Sequence, residues 1–296
     1  MAWERPTELR VALVQMHCGN DPSENLRRAV EFVRQAGDQG AGLVCLPELF
    51  RTTYFCQQEV PELFDLAEPI PGPTTDALAR AASVAHVAVI GSVFERRAPG
   101  LYHNTAVVLG ADGTLAGVYR KLHIPHDPLY FEKYYFTPGD LGVRVFSVAG
   151  WKVSVLVCWD QWFPEAARLA ALSGAEVILY PTAIGWHPAE KAEHGADQYQ
   201  AWQTVQRAHA IANGIYVAAC NRVGIDDRLE FWGGSFACDP FGRVIVQASH
   251  EREELLWFGC ARTAIEDTRR NWPFLRDRRT DAYSGLLKRF LDDSDL

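Results

Sequence analysis

The sequence lacks any apolar run long enough to cross a bilayer, and its first residues contain no apolar core of a secretion signal. A basic excess is also missing, because 37 acidic residues outnumber 29 lysines and arginines and give a formal net charge of −8. Nucleic acids and anionic membrane surfaces require a basic face, so we expect neither as a partner. The acidic balance is weakly consistent with a cationic ligand.

Paired cysteines are absent as well. The seven cysteines are an odd number and include no C-x-x-C pair, so the sequence contains neither a disulfide framework nor a zinc knuckle. We therefore expect a reduced, cytoplasmic protein. Linkers rich in proline, serine or glycine and low-complexity tracts are also lacking. Residues 1–296 are expected to form one domain, with 277–296 as a charged C-terminal extension.

Strand and helix patterns alternate along the chain. Arg10 to Met16 predicts a strand, a helix N-cap follows at Asp21, and Gly42 to Glu48 predicts a second, buried strand. The two strands of such a unit should be parallel, with a right-handed crossover. The second half repeats this order, with a helix after Pro164 and a strand at 176–181. We expect an α/β domain with two sheets between layers of helices.

Two predicted loops, 122–142 and 182–195, are long enough that a function is their best explanation. They contain residue types that bind metals: His123, His126, Asp127, His187 and His194. The sequence has no H-E-x-x-H pattern, so we expect no metal site.

Three reactive side chains, those of Glu48, Lys121 and Cys158, each come at the carboxyl end of a predicted strand. That edge of an open α/β sheet is where ligands bind. A helix beginning at Pro164 should favour the thiolate form of Cys158, although a free cysteine is often only a core residue. A carboxylate in apolar surroundings can serve as the base for a thiol, and a lysine can hold the negative oxygen of a tetrahedral intermediate.

Three short segments resemble the signature blocks of a known family: Leu46-Pro47-Glu48, Tyr119-Arg120-Lys121-Leu122-His123 and Val157-Cys158-Trp159-Asp160. The family is the nitrilase superfamily of carbon–nitrogen hydrolases, and the similarity runs from about Arg10 to Ala261. The resemblance implies a four-layer αββα sandwich of two mixed β-sheets flanked by helices. It also implies that the protein uses no cofactor and no metal and forms homo-oligomers.

Roles for individual residues follow from the same resemblance. Cys158 resembles the family's nucleophile, Glu48 its general base and Lys121 its oxyanion stabiliser. The backbone N–H of Trp159 is expected to assist Lys121. Glu132 matches a second glutamate that many members keep close to the lysine, and we expect it to position the substrate and Lys121.

Further stretches resemble the N-carbamoylputrescine amidase branch of the family, at residues 123–128, 131–140, 158–162 and 180–186. The resemblance implies a small cationic ureide substrate, whose ureido C–N bond is hydrolysed to give putrescine, carbon dioxide and ammonia in polyamine biosynthesis. Gln161 and Trp162 stand where members acting on carboxylated carbamoyl amino acids tend to place arginines. A neutral aromatic wall fits an alkyl chain better than a carboxylate.

The distal amine of such a substrate needs a carboxylate or an aromatic face. The substrate-binding candidates are Tyr130, Trp186, Glu190 and Glu193, with Asp197 just beyond, and the sequence does not choose among the acidic ones. Other readings stay open. The protein could be a β-ureidopropionase, an ω-amidase or a nitrilase, a metal-dependent hydrolase built on the histidines, or a non-catalytic interaction protein.

Overall fold

Two six-stranded β-sheets form the centre of the computed structural model, which describes residues 6–292. The strands of the first sheet are β1 (Glu8–Gln15), β2 (Leu43–Cys45), β3 (Ala88–Ala98), β4 (Leu101–Leu109), β5 (Leu115–Arg120) and β15 (Glu254–Ala261). Their spatial order is β15-β1-β2-β3-β4-β5. β2 lies parallel to both β1 and β3, whereas the other neighbouring pairs are antiparallel.

The second sheet repeats this plan. Its strands are β6 (Val145–Val148), β7 (Trp151–Val155), β8 (Val177–Thr182), β10 (Tyr216–Asn221), β13 (Phe236–Cys238) and β14 (Val244–Gln247). They lie in the order β14-β13-β10-β8-β7-β6, and β8 is parallel to both β7 and β10. A shared core of buried apolar side chains from both sheets holds them face to face.

Helices cover the outer faces of the two sheets. α1 (Pro22–Asp38) and α2 (Pro73–Ala85) share a buried core with the first sheet, and α4 (Pro164–Leu172) and α5 (Lys191–Asn213) pack on the second. The short α3 (Glu132–Tyr135) lies between β5 and β6 in the chain, and α6 (Arg262–Asn271) follows β15. This layering confirms the predicted αββα sandwich. None of the helices in the described residues is long and apolar enough to span a membrane.

The start of α1 follows its sequence signals. Asp21 caps the helix by accepting a hydrogen bond from the Ser23 N–H, and Pro22 occupies the first turn. Gly37 lies in the last turn of α1. A Cβ on Gly37 would come 2.6 Å from the carbonyl oxygen of Ala85, so glycine permits the close approach of α1 and α2.

Several elements were not predicted from the sequence. A three-stranded sheet consists of β9 (Gly185–Trp186), β11 (Val223–Asp226) and β12 (Leu229–Trp232), in the order β11-β12-β9. The predicted loop 182–195 therefore contains β9, and α5 begins within it at Lys191. β9 has two residues and is fixed by pairing with β12, a contact between distant segments that local pattern does not reveal.

The C-terminal extension continues beyond α6 in two short 3₁₀ turns, Thr280–Ala282 and Ser284–Leu287. Several of its apolar side chains are exposed, with Leu287 at 96%. Residues 1–5 and 293–296, which include the last two acidic residues of the extension, lie outside the described residues.

Candidate active site

Glu48 lies just past the end of β2 in the buried space between the two sheets. Its backbone N–H donates to the Thr182 carbonyl of the second sheet at 3.3 Å, and its side chain is fully buried. Oε1 accepts hydrogen bonds from Lys121 Nζ at 2.8 Å and from Asn104 Nδ2 at 2.6 Å. Oε2 has no hydrogen-bond partner in the described structure. One carboxylate oxygen is therefore held, and the other is free for chemistry.

Lys121 follows β5, and its ammonium group meets two carboxylates. Nζ lies 2.8 Å from Glu48 Oε1 and 2.9 and 2.6 Å from the two oxygens of Glu132. Burial by itself lowers the pKa of Lys121, but Glu132 and Glu48 outweigh it and hold the pKa well above its ordinary value. Lys121 is therefore held as a cation although its side chain is fully buried.

Glu132 is the first residue of α3, within the long predicted loop 122–142. It is fully buried, and Oε1 also accepts a hydrogen bond from the Tyr54 hydroxyl at 2.6 Å. Burial raises the pKa of Glu132 to about 7, against the opposing effect of Lys121. Glu132 therefore lies where a group that positions Lys121 would have to be.

Cys158 begins a 3₁₀ helix, Cys158–Trp162, directly after the buried strand segment that follows β7. Its backbone has φ +44°, a conformation rare for residues other than glycine, which turns the chain sharply at Cys158. The thiol donates a long hydrogen bond to the Ala183 carbonyl at 3.7 Å. Trp159 is the second residue of this helix, in the turn where backbone N–H groups lack acceptors within the helix.

The charge state of Cys158 differs from the sequence expectation. The helix starting at Pro164 was expected to favour a thiolate. Instead, burial and the nearby Glu48 carboxylate raise the pKa of the Cys158 thiol well above its ordinary value, and Lys121 offsets this only in part. The expectation was wrong because the 3₁₀ helix separates Cys158 from α4 and the residue is only 5% exposed. A neutral thiol needs a base to become a nucleophile.

Asp160 fixes the turn that carries Cys158. Its carboxylate accepts hydrogen bonds from the Val157 N–H at 2.9 Å, from the Tyr119 hydroxyl at 2.7 Å and from the His123 N–H at 3.0 Å. The His123 ring also lies 2.7 Å from Asp160 and stacks on Phe163. This network ties the segment after Lys121 to the segment of Cys158.

A cavity of about 590 Å³ opens onto Cys158. Its walls include aromatic side chains, aliphatic groups and two carboxylates: Pro125, Asp127, Pro128, Tyr130, Cys158, Trp159, Trp162, Ile184, Gly185, His187, Glu190, Gln198, Ala201 and Trp232. No lysine or arginine is among these described lining residues. A more open hollow of about 660 Å³ lies along β1 and β15, and none of the candidate site residues lines it.

Two of the four substrate-binding candidates line this cavity. Tyr130 exchanges hydrogen bonds with the backbone of Gly185, so its hydroxyl is occupied and its ring serves as a wall. Glu190 lies at the cavity and accepts a hydrogen bond from Gln198 at 2.9 Å.

The other two candidates lie elsewhere. The Trp186 indole donates to the Gly195 carbonyl at 2.9 Å and packs against Trp232, and Trp186 is not among the residues that line the cavity. The Glu193 side chain is 82% exposed and does not line the cavity. Asp197, which the sequence left as a further acidic candidate, does not line the cavity either. Of the acidic candidates for binding the distal amine, Glu190 is therefore the one that lines the cavity. Asp127, which the sequence did not suggest for this role, lines it as well.

The described residues contain no cluster of three or more histidine, cysteine, aspartate or glutamate side chains arranged to hold a metal. The histidines that suggested a metal have other contacts. His123 binds Asp160, and the Nδ1 atom of His187 accepts a hydrogen bond from the Ala189 N–H.

Sequence reasoning missed Tyr54, Asn104 and the bridging role of Asp160. Asp160 and its partners Tyr119 and His123 lie inside the blocks that resemble the family signatures, and their place in those blocks was the sequence signal for a shared role. Tyr54 and Asn104 have no comparable local signal, because their contacts with Glu132 and Glu48 join segments that are distant in the chain.

Comparisons with known proteins cover nearly the whole chain. Residues 10–270 match the family described as Carbon-nitrogen hydrolase. The N-carbamoylputrescine amidase of Solanum lycopersicum is 40% identical over 293 residues, 96% of each chain. The Citrullinase of Francisella tularensis is 37% identical and covers 95% of this chain and 99% of its own. The crystal structure of a carbon-nitrogen hydrolase from Helicobacter pylori G27 superposes with a TM-score of 0.92 at 42% identity, over 96% of this chain and all of that one.

Proposed function

The chain belongs to the carbon-nitrogen hydrolase family, and from this premise we propose that it hydrolyses the ureido C–N bond of N-carbamoylputrescine. The observation that carries the proposal is one cavity that joins Cys158 to two carboxylates, with no lysine or arginine among its described lining residues. A reactive thiol at one end and negative charge at the other match a ureide that ends in an ammonium group.

The substrate would lie with its carbamoyl group at Cys158 and its ammonium group toward Glu190 and Asp127. Trp159, Trp162 and Tyr130 supply flat apolar surface for the four-carbon chain between these ends. Glu190 and Asp127 are exposed at the cavity mouth, so each contributes modestly to affinity through solvent. We propose that they select for a cation rather than provide most of the binding energy.

The first half of the proposed reaction transfers the carbamoyl group to the enzyme. Glu48 takes the proton of the Cys158 thiol, and Sγ attacks the carbamoyl carbon. The carbonyl oxygen becomes an oxyanion, which the Lys121 ammonium and the Trp159 N–H stabilise. When the intermediate collapses, the C–N bond breaks and the departing amine of putrescine takes the proton from Glu48. Glu132 holds Lys121 in place.

The second half releases the carbamoyl group. Glu48 takes a proton from a water molecule, whose oxygen attacks the carbamoyl carbon of the S-carbamoyl cysteine, a thiocarbamate. Lys121 again holds the oxyanion, and the bond to Sγ breaks as the sulfur recovers the proton from Glu48. The released carbamic acid decomposes to carbon dioxide and ammonia. The proposed steps use no cofactor.

Citrulline is the second candidate substrate, because the Citrullinase of Francisella tularensis is 37% identical to this chain. Citrulline shares the ureido group but carries a carboxylate beside its amine. The described lining of the cavity offers that carboxylate no lysine or arginine and places Glu190 and Asp127 nearby. We therefore propose that charge repulsion disfavours citrulline and carbamoyl-β-alanine relative to carbamoylputrescine.

The experiment is a comparison of kcat/KM for carbamoylputrescine, citrulline and carbamoyl-β-alanine, with putrescine and ammonia measured directly. The proposal expects carbamoylputrescine to be favoured by about a hundredfold or more, which corresponds to roughly 3 kcal/mol. Equal or better turnover of a carboxylated ureide contradicts the substrate assignment. Absence of turnover across ureides, amides and nitriles would instead support a non-catalytic role.

We further propose that the protein forms homo-oligomers. Large apolar side chains are exposed on α4 and in the C-terminal extension: Leu169, Leu172, Leu286, Leu287 and Phe290. Such a concentration of exposed apolar surface is typical of protein interfaces. Sedimentation analysis should show a dimer or larger species, and a double charge substitution of Leu286 and Leu287 should shift it toward the monomer.

We place this activity in a reducing compartment such as the cytoplasm, and in polyamine biosynthesis, where a ureide of putrescine is converted to putrescine. All seven cysteines are buried and free, which is consistent with a protein that does not depend on disulfides.

A further inference from the structure

A chain of three hydrogen bonds leads from a backbone amide to Glu48. The N–H of Leu49 donates to Ser92 Oγ at 3.1 Å, and Ser92 Oγ donates to Asn104 Oδ1 at 3.1 Å. Asn104 Nδ2 then donates to Glu48 Oε1 at 2.6 Å. The side chains of all these residues are buried, and neither Ser92 nor Asn104 lines the cavity beside Cys158.

The sheet places the two polar side chains on one face. Asn104 of β4 lies opposite Phe94 of β3, and Ser92 is two positions along β3 from Phe94. Leu49 has φ +47°, a left-handed conformation that is rare for leucine. This turn directs its N–H at Ser92. The left-handed conformation of Leu49 therefore turns the chain directly after Glu48, and the N–H of the same residue starts the chain of hydrogen bonds.

The directions of the bonds in this chain are fixed by its two ends. An ionised carboxylate can only accept, so Asn104 turns its NH₂ toward Glu48 and its carbonyl oxygen toward Ser92, which gives its hydroxyl proton to that oxygen. A backbone N–H can only donate, so Ser92 accepts from Leu49. Lys121 donates to the same oxygen of Glu48. Oε1 thus faces two donors, and Oε2 is the oxygen without a partner among the described residues.

We propose that Ser92 and Asn104 are positioning residues, which orient Glu48 so that Oε2 is the atom that receives the proton of Cys158. The inference rests on the proposed role of Glu48 as general base. We call the three hydrogen bonds from Leu49 through Ser92 and Asn104 to Glu48 the relay. Without the relay, the carboxylate of Glu48 could rotate and present either oxygen, or share its free oxygen with Lys121. Ser92 and Asn104 would then act on the chemical step and not on substrate binding.

The test compares four variants by kcat and KM. Ser92→Ala breaks the relay with almost no change in volume and is expected to lower kcat about tenfold, the equivalent of one hydrogen bond, with KM within about twofold. Ser92→Thr keeps the hydroxyl and should restore most of kcat, since a cavity of about 20 Å³ beside Ser92 can accept the added methyl group. Asn104→Asp keeps the shape but cannot donate from an ionised carboxylate, and should cost about a hundredfold.

Ser154→Ala is the matched control, because Ser154 is also a fully buried strand serine, and its hydroxyl donates to the Arg144 carbonyl. It should keep wild-type kcat. Wild-type kcat in Ser92→Ala overturns the proposal, as does an equal loss in Ser92→Ala and Ser92→Thr when both melt at the wild-type temperature. If Asn104→Asp does not fold, the two Ser92 variants decide.

A second readout separates this inference from the substrate assignment. Alkylation of Cys158 by iodoacetamide, located by peptide mass spectrometry, needs no substrate but still needs the thiol to lose its proton. Ser92→Ala should slow it about tenfold relative to both the wild type and Ser154→Ala. An unchanged rate overturns the relay, whatever ureide the wild-type protein hydrolyses. Failure of the wild type to hydrolyse carbamoylputrescine leaves this comparison intact.

Discussion

The ammonium nitrogen of Lys121 lies 2.8 Å from Oε1 of Glu48, although the two residues are 73 positions apart and neither is accessible to solvent. Glu132 completes the group with contacts of 2.6 and 2.9 Å to the same nitrogen. A single cation between two carboxylates leaves the cluster with net negative charge when both are ionised. This arrangement suits a site that must take a proton from a buried thiol and then hold an oxyanion.

Replacing Cys158 by serine should reduce turnover of carbamoylputrescine by about a thousandfold or more, because the hydroxyl is a far weaker acid and nucleophile than the thiol. The substitution is nearly isosteric, so the melting temperature should stay close to that of the wild type. Steady-state putrescine release and thermal unfolding check the two parts. Substantial activity in this variant, combined with inhibition by chelators, would favour the metal-dependent alternative.

Activity should fall as the pH decreases through about 7. Burial raises the pKa of Glu132 to about 7, so its carboxylate takes up a proton as the pH drops from 8 to 6. Protonation removes negative charge and an acceptor from beside Lys121, which loosens the lysine that we propose as the oxyanion stabiliser. Glu132→Gln should be slower at every pH and should lack this inflection. A kcat profile of the wild type that is flat between pH 6 and 8 contradicts the assigned role of Glu132.

Glu190→Gln should raise KM for carbamoylputrescine about fivefold with little change in kcat, since it removes one partner of an exposed ion pair with the substrate. KM for N-butylurea, which lacks the distal amine, should not change. Glu193→Gln is the matched control, because the Glu193 side chain is 82% exposed and lies outside the cavity. An equal effect of the two substitutions would show that Glu190 acts only through the general charge of the surface.

Asp160→Ala should destabilise the protein by about 3 kcal/mol, because it leaves several buried donors without an acceptor. Tyr119→Phe removes one of these donors and should cost about 1 kcal/mol. Chemical denaturation of both variants measures the difference. The network also fixes the turn at Cys158, so Asp160→Ala should lower kcat in the fraction that remains folded. Wild-type stability in this variant would mean that the turn is held by other contacts.

Much of this site could be predicted from the sequence, because its reactive residues lie in short segments at strand ends. Glu48 and Lys121 were named from those segments and Glu132 from the family resemblance, and the structure places their charged groups in contact. Their catalytic roles stay predictions. The two-sheet layering was also accessible, since buried strands and amphipathic helices have distinct periodicities.

Other features depend on contacts that local sequence does not encode. Tyr54 and Asn104 meet the cluster only through tertiary packing, so no pattern around either residue indicated a role. The prediction that Cys158 is a thiolate was wrong, because burial raises the pKa of the thiol more than a helix terminus one 3₁₀ helix away can lower it. Glu190 and Glu193 look equivalent in the sequence, and only the path of the chain into α5 separates them.

The most direct test of the account is a rapid acid quench of the wild-type protein during turnover of carbamoylputrescine, followed by peptide mass spectrometry. The account predicts a carbamoyl group on the peptide that contains Cys158, formed as fast as the first putrescine is released and lost again as the substrate is consumed. Putrescine released without any such adduct, and at the wild-type rate by Cys158→Ala, would contradict a mechanism in which this sulfur attacks the carbamoyl carbon.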